Sequence, residues 1–172
     1  LYAPRKEVRS VSLAVNLLGM TVVKNLALSF SLMDGLKGRG PDGFDFSTFW
    51  KESLRGAIIA RSLAKQMQLP DAEEAFFLGL LLDIGILAFA VGKPQAYQAV
   101  WDQRQRTACQ YHDAEDQLMG INHMQLGAHL CEKWGLPASL YVPIAHHHHQ
   151  APPDVRSGLH GTPVQLMHLT AL

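Results

Sequence analysis

Apolar residues recur at three- and four-residue intervals in almost every segment of the chain, and no segment shows the sustained apolar–polar alternation of a half-buried strand. The pattern predicts an all-α protein. Residues 8–18 and 20–36 make two apolar helical stretches, separated near Gly19 and closed by the loop GLKGRGPDGFD, whose glycines and Pro41 mark it as the candidate mobile segment. Over 46–67 the positions Phe49, Trp50, Leu54, Ala57, Ile58, Leu63, Ala64 and Met67 fall on one broad apolar face. Asp71 and Glu74 form a capping-box pattern after Pro70, which starts the helix carrying FFLGLLLDIGILAFAV (76–91) and ending near Gly92 and Pro94. A more polar helix follows over 94–107, then a short acidic segment over 112–120. Asn122 caps the next helix, which runs to Trp134 before Gly135 and Pro137, and another over 137–148 is stopped by APP at 151–153. A last helical stretch starts at Thr162. With no repeat or low-complexity tract, the expected architecture is one compact helical bundle over 1–172, with Gly56, Gly79, Gly85 and Gly127 at close helix contacts.

The 172 residues suffice for one domain with a substantial core, since 48% are hydrophobic. Lys+Arg 15 against Asp+Glu 15 leaves zero formal charge, so no general attraction to nucleic acid or an anionic membrane is expected. Cys109 and Cys131 form neither a disulfide framework nor a CxxC metal motif, which suits a reducing cytoplasm. The run at 76–91 is shorter than the roughly 20 residues of a membrane helix and carries Asp83 near its middle, so it reads as a core helix.

Asp83 poses the chemical question. A carboxylate within an apolar run must be charge-paired, hydrogen-bonded, protonated or metal-bound. Nine histidines supply imidazoles that could meet it. His123 shares a helical stripe with Gly127, Leu130 and Trp134 and is expected to face inward, whereas His129 is expected in solvent. In AHHHHQ, His146 and His149 share one face, which leaves His147 or His148 to point inward. Glu115 and Asp116 read as a solvated loop or helix start. No phosphate loop, nucleophile elbow, dinucleotide fingerprint or HExxH motif is present.

Taken in order, VSLAVNLLGMTVVKNLALS (11–29), FWKES with its alanine-rich continuation (49–64), AFFLGLLLDIGILAF (75–89), EDQLMGINHMQLGAHLCEKWGLP (115–137) and the histidines after YVPIA resemble the HDOD domain of bacterial signalling proteins. The resemblance implies a helical bundle of the HD-domain type, similar in fold to metal-dependent HD phosphohydrolases. It also implies a domain incomplete at its N-terminal side, with a truncated C-terminal helix. Against those hydrolases, the resemblance places Leu82 where the histidine of the His-Asp pair belongs and Glu52 at another histidine position. Asp83, His123 and the pair His147-His148 are retained, with Glu115 as a further candidate of the degenerate site. Two imidazoles short, this set implies no catalytic residue, no bound metal and no cofactor. Asp83 is then expected to be held by His123, His147, His148 or Arg55.

The function expected from the resemblance is a catalytically inactive cytoplasmic regulatory module that binds a signalling partner, a fused receiver, GGDEF or EAL domain, or a small ligand. A nucleotide or cyclic-dinucleotide sensor is the alternative. A metal-dependent phosphohydrolase using Glu52, Asp83, His123 and His147 is the second.

Overall fold

Asp45 accepts the Ser47 amide at 2.9 Å and the Thr48 hydroxyl at 2.7 Å, and its carboxylate thereby satisfies an amide that the first helical turn leaves without a partner. The computed structural model describes residues 40–148, so the stretches predicted at 8–36 and from Thr162 lie outside the described residues. Among the described residues seven helices follow one another: α1 (Phe46–Gln66), α2 (Ala72–Leu81), α3 (Ile84–Gly92), α4 (Pro94–Thr107), α5 (Tyr111–Met119), α6 (His123–Lys133) and α7 (Ala138–His146). No strand occurs among the described residues. α1 packs on α2, α3 on α6, α4 on α5, and α6 on α7, so α3 and α6 lie at the centre. Leu78, Leu81, Val100, Met124 and Ile144 are buried almost completely between them.

The single helix expected over 71–92 is two. Leu82 still has α-helical dihedrals, but Asp83 turns to φ −100 and ψ 16, and the Ile86 amide restarts the ladder on the Asp83 carbonyl at 2.9 Å. The break lets α2 face α1 while α3 faces α6. Asp83 sits at the N-cap of α3 without making a capping bond, so its carboxylate is available for other partners. By length and composition 72–92 could cross a membrane, yet most of it is buried inside the bundle.

The buried face of α1 also differs from the expected one. Phe46, Trp50, Ser53, Ala57, Ala60 and Ala64 are buried, whereas Leu54, Ile58 and Met67 are exposed. Close approach explains the rotation: a Cβ on Gly79 of α2 would lie 2.8 Å from the Ala57 Cα, so only a stripe of small residues fits there. The larger aliphatic side chains are displaced outward.

Local signals set the remaining ends. Asp71 accepts the amides of Glu73 and Glu74 at 3.0 and 2.9 Å. Glu74 does not complete a capping box; its carboxylate accepts the Ser139 hydroxyl at 2.5 Å and ties α2 to α7. Asn122 does form a reciprocal box with Gln125, at 3.1 Å in both directions.

Cys131 is fully buried in α6, and that burial pushes its thiol up to about 12. Alkylation of the native protein at pH 8, followed by peptide mass mapping, is expected to leave Cys131 unmodified and to label it after denaturation. Labelling of Cys131 at equal rates in both states would place it outside the core.

Candidate functional site

Three segments converge on one point. Asp83 comes from the break between α2 and α3, His123 is the first residue of α6, and His147 with His148 follows α7. The Asn122 cap fixes where α6 begins and so where the His123 ring stands. His123 Nε2 lies 3.3 Å from His147 Nε2. Asp83 Oδ1 is 3.4 Å from His147 Nε2 and 3.7 Å from His123 Nε2. One ligand atom from each of Asp83, His123, His147 and His148 falls within 4.8 Å of all the others, so this is the set that could hold a metal.

Buried groups behind the cluster orient it. Glu115 is fully buried and accepts the His123 amide at 2.7 Å, His123 Nδ1 at 2.6 Å and the Tyr97 hydroxyl at 2.5 Å. His147 Nδ1 lies 2.8 Å from the Ile144 carbonyl. Tyr97 stacks on Phe89, with centroids 5.3 Å apart and planes at 16°. Burial, reinforced by Glu115, raises the Tyr97 hydroxyl far above its ordinary range and keeps it a donor.

Asp83 is less enclosed than an all-apolar helix predicts, with 40% of its side chain open. Desolvation by the surrounding protein acts to raise its carboxyl. The hydrogen bond and charge of His147, with His123 and His148, outweigh that and hold it at about 2. His148 is pushed down to about 3 by burial and by the neighbouring charges of His147 and His123, so it is neutral at neutral pH.

Asp83 and His148 open onto a cleft of about 520 Å³. Phe44, Phe49, Trp101 and Tyr111 supply its aromatic walls, and Asp45, Glu52 and Arg104 its charges. The Arg104 guanidinium lies 4.0 Å over the Tyr111 ring, and its buried Nε has no hydrogen-bond acceptor among the described residues.

His123 faces inward, as does His147 of the His147/His148 pair that the helical phase left open, and His129 is exposed. His148 converges as well, so the cluster takes both members of the pair. Leu82 is 6% exposed and packed in the core, where it offers no ligand. Glu52 lines the cleft but pairs with Arg55 at 2.9 Å, and both are exposed, so Arg55 is bound to Glu52 rather than to Asp83. Glu115 is the largest departure: the expected solvated acid is a buried acceptor of three donors. Tyr97 and His112, whose ring stacks on His148 at 4.9 Å, were missed from the sequence, and His112 had no local signature. The buried tyrosine on an otherwise polar helix was the available hint.

The family model for the HDOD domain matches residues 1–150. Among solved structures, the chain is similar to an HDOD domain protein of unknown function from Geobacter sulfurreducens, with TM-score 0.68 and 22% identity over 96% of this chain and 54% of that one. It is also similar to a protein assigned by name as a phosphohydrolase from Shewanella amazonensis, with TM-score 0.66 and 27% identity over 96% and 60%. The MmoQ response regulator of Methylococcus capsulatus aligns with TM-score 0.69 and 29% identity over 97% and 64%. The chain thus spans less than two thirds of the length of each of these structures. No curated protein shows a significant match.

Proposed function

Because the chain belongs to the HDOD domain family, we propose that it is a regulatory module that acts by binding a signalling partner or a small ligand and hydrolyses nothing itself. The observation that carries this reading is Leu82. A hydrolytic metal centre needs several protein ligands and an open position for water. An aliphatic side chain buried beside Asp83 supplies neither, and Glu52 offers an exposed carboxylate already engaged by Arg55. The similarity to a response regulator supports a signalling role, with the partner either a separate protein or a fused receiver, GGDEF or EAL domain. Two free cysteines, one of them buried, suit a cytoplasmic setting.

A nucleotide or cyclic-dinucleotide sensor is the second reading, favoured by aromatic walls that could stack a base and by the unpaired Arg104 Nε. Asp45, Glu52 and Asp83 in the same cleft oppose phosphate groups and place this reading second. A rise in melting temperature with a cyclic dinucleotide, abolished by Arg104→Ala, would move it ahead of the first.

The parent protein is expected to show no turnover of nucleotides, cyclic dinucleotides or bis(p-nitrophenyl) phosphate with manganese or iron supplied. Leu82→His should remain inactive, since position 52 still lacks an imidazole. Turnover by the parent that disappears in Asp83→Asn would replace the regulatory reading with a metal-dependent phosphohydrolase.

A further inference from the structure

Four aromatic side chains border one cleft, and none of them is fully packed. Phe44, Phe49, Trp101 and Tyr111 are each part-buried against the space of about 520 Å³ onto which Asp83 and His148 open. That volume suits a small molecule, whose pockets run from about 300 to 1,000 Å³. Gly43, at φ +83, turns the chain just before Phe44, whose ring meets Trp101 at 5.7 Å. Trp101 continues to Tyr111 at 6.4 Å, and Phe44 to Phe49 at 6.2 Å. These contacts are tilted or edge-on, at 35° to 65°, so the rings do not consume their faces by stacking on one another.

The charges around the rings give the cleft its sign. Asp45, Glu52 and Asp83 border it, against the guanidinium of Arg104. Glu52 is offset by Arg55, which lies outside the lining, and Arg104 is laid over Tyr111 at 4.0 Å. Asp45 is exposed, and Asp83, although its Oδ1 turns to His147 and His123, keeps 40% of its side chain open. The face of an aromatic ring is the negative end of its quadrupole, so these rings and carboxylates favour the same sign of ligand. Arg104 on Tyr111 is the protein's own instance of that contact. Phe44, Phe49 and Trp101 have no cation over them among the described residues.

We propose that this cleft binds a small organic ammonium ion, its alkyl groups against Phe44, Phe49 and Trp101 and its charge met by Asp45 and Asp83. The inference rests on the regulatory reading and names the chemical class of its small ligand. An alkylammonium uses both halves of the lining, because its carbons cover aromatic surface while its charge answers the carboxylates. A neutral molecule of the same shape uses the first half alone, and a phosphate is repelled by the second. Arg104 is a competitor in this arrangement, since it already occupies the Tyr111 face and carries the ligand's own sign.

The test titrates the full chain with choline and with n-butylammonium, each beside its neutral counterpart, 3,3-dimethyl-1-butanol and 1-butanol. Binding is read from the indole N–H resonance of Trp101, assigned by its loss in Trp101→Phe, and from calorimetry. At least one cation is expected to shift that resonance saturably and to bind about tenfold or more tightly than its neutral counterpart. Trp101→Ala should abolish the binding and Trp101→Phe should keep part of it. Asp45→Asn should weaken it about threefold; asparagine caps a helix as well as aspartate does, so this arm holds even if Trp101→Ala does not fold. Arg104→Ala should leave cation binding unchanged or strengthen it. The proposal is overturned if the neutral molecules bind as tightly as the cations, which would make the cleft merely apolar, or if neither cation shifts Trp101 in the millimolar range. It is equally overturned if adenosine monophosphate shifts Trp101 at lower concentration than either cation and Arg104→Ala abolishes that shift, which would make this a phosphate site. Turnover decides the regulatory reading and binding decides this one, so the two fail separately.

Discussion

Gly85→Ala is expected to cost about 3 kcal/mol or more and to lower the melting temperature by about 10 °C or to prevent folding. A Cβ at this position would stand 2.0 Å from the His123 carbonyl oxygen, 2.7 Å from its carbon and 2.8 Å from its Cα. All three are backbone atoms, so no side chain can rotate away. Relief requires α3 and α6 to separate, which would open the centre of the bundle and move His123 off Glu115 and Asp83. Gly79→Ala meets backbone at 2.8 and 3.0 Å and should be harmful to a lesser degree. Urea and thermal melts of the two variants check both size and order; a Gly85→Ala protein melting within about 2 °C of the parent would contradict this packing.

Glu115→Ala is expected to destabilise the fold by about 3–5 kcal/mol. The substitution leaves the His123 amide, His123 Nδ1 and the Tyr97 hydroxyl buried with no acceptor, and none of these can turn to water. Glu115→Gln keeps one oxygen but presents an NH₂ group to a donor, so it should fall between alanine and the parent. Tyr97→Phe removes only one of the three donors and should cost less than either. In a double-mutant cycle, Glu115→Ala with Tyr97→Phe should show a coupling of about 0.5–3 kcal/mol, because Tyr97 has nothing left to lose once the carboxylate is gone. Chemical denaturation of the four proteins measures it, and additive costs would mean that the two side chains do not share a bond.

Where the chain's own short-range chemistry decides the outcome, the sequence was legible. Asp71, Asn122 and Pro137 marked helix starts because caps act over three or four residues, and each helix begins there. The inward turn of His123 was legible because Gly127 shares its stripe and is buried as well. Leu82 is packed in the core and Glu52 is exposed and paired with Arg55.

The break at Leu82–Asp83 was hidden by the same feature that drew attention to the segment. A run that is apolar on every side has no period, so it cannot say which way its residues point or whether one helix or two will satisfy them. α1 misled for a related reason: Leu54 and Ile58 look like core residues until Gly79 brings α2 so close that only alanines fit between the helices.

Sequence alone thus determined the helical class, most helix boundaries and the family, because period, capping and motif order act along the chain. Tertiary structure decided that Glu115 is buried beneath His123, that Tyr97 lies behind it and that both ring Nε2 atoms face Asp83. Tyr97 and Glu115 are 18 residues apart and His123 and His147 are 24. Contacts of that range depend on how α4 packs on α5 and α6 on α7, and helix packing is set by which faces can approach closely, a property of pairs of helices that no single stretch of sequence contains.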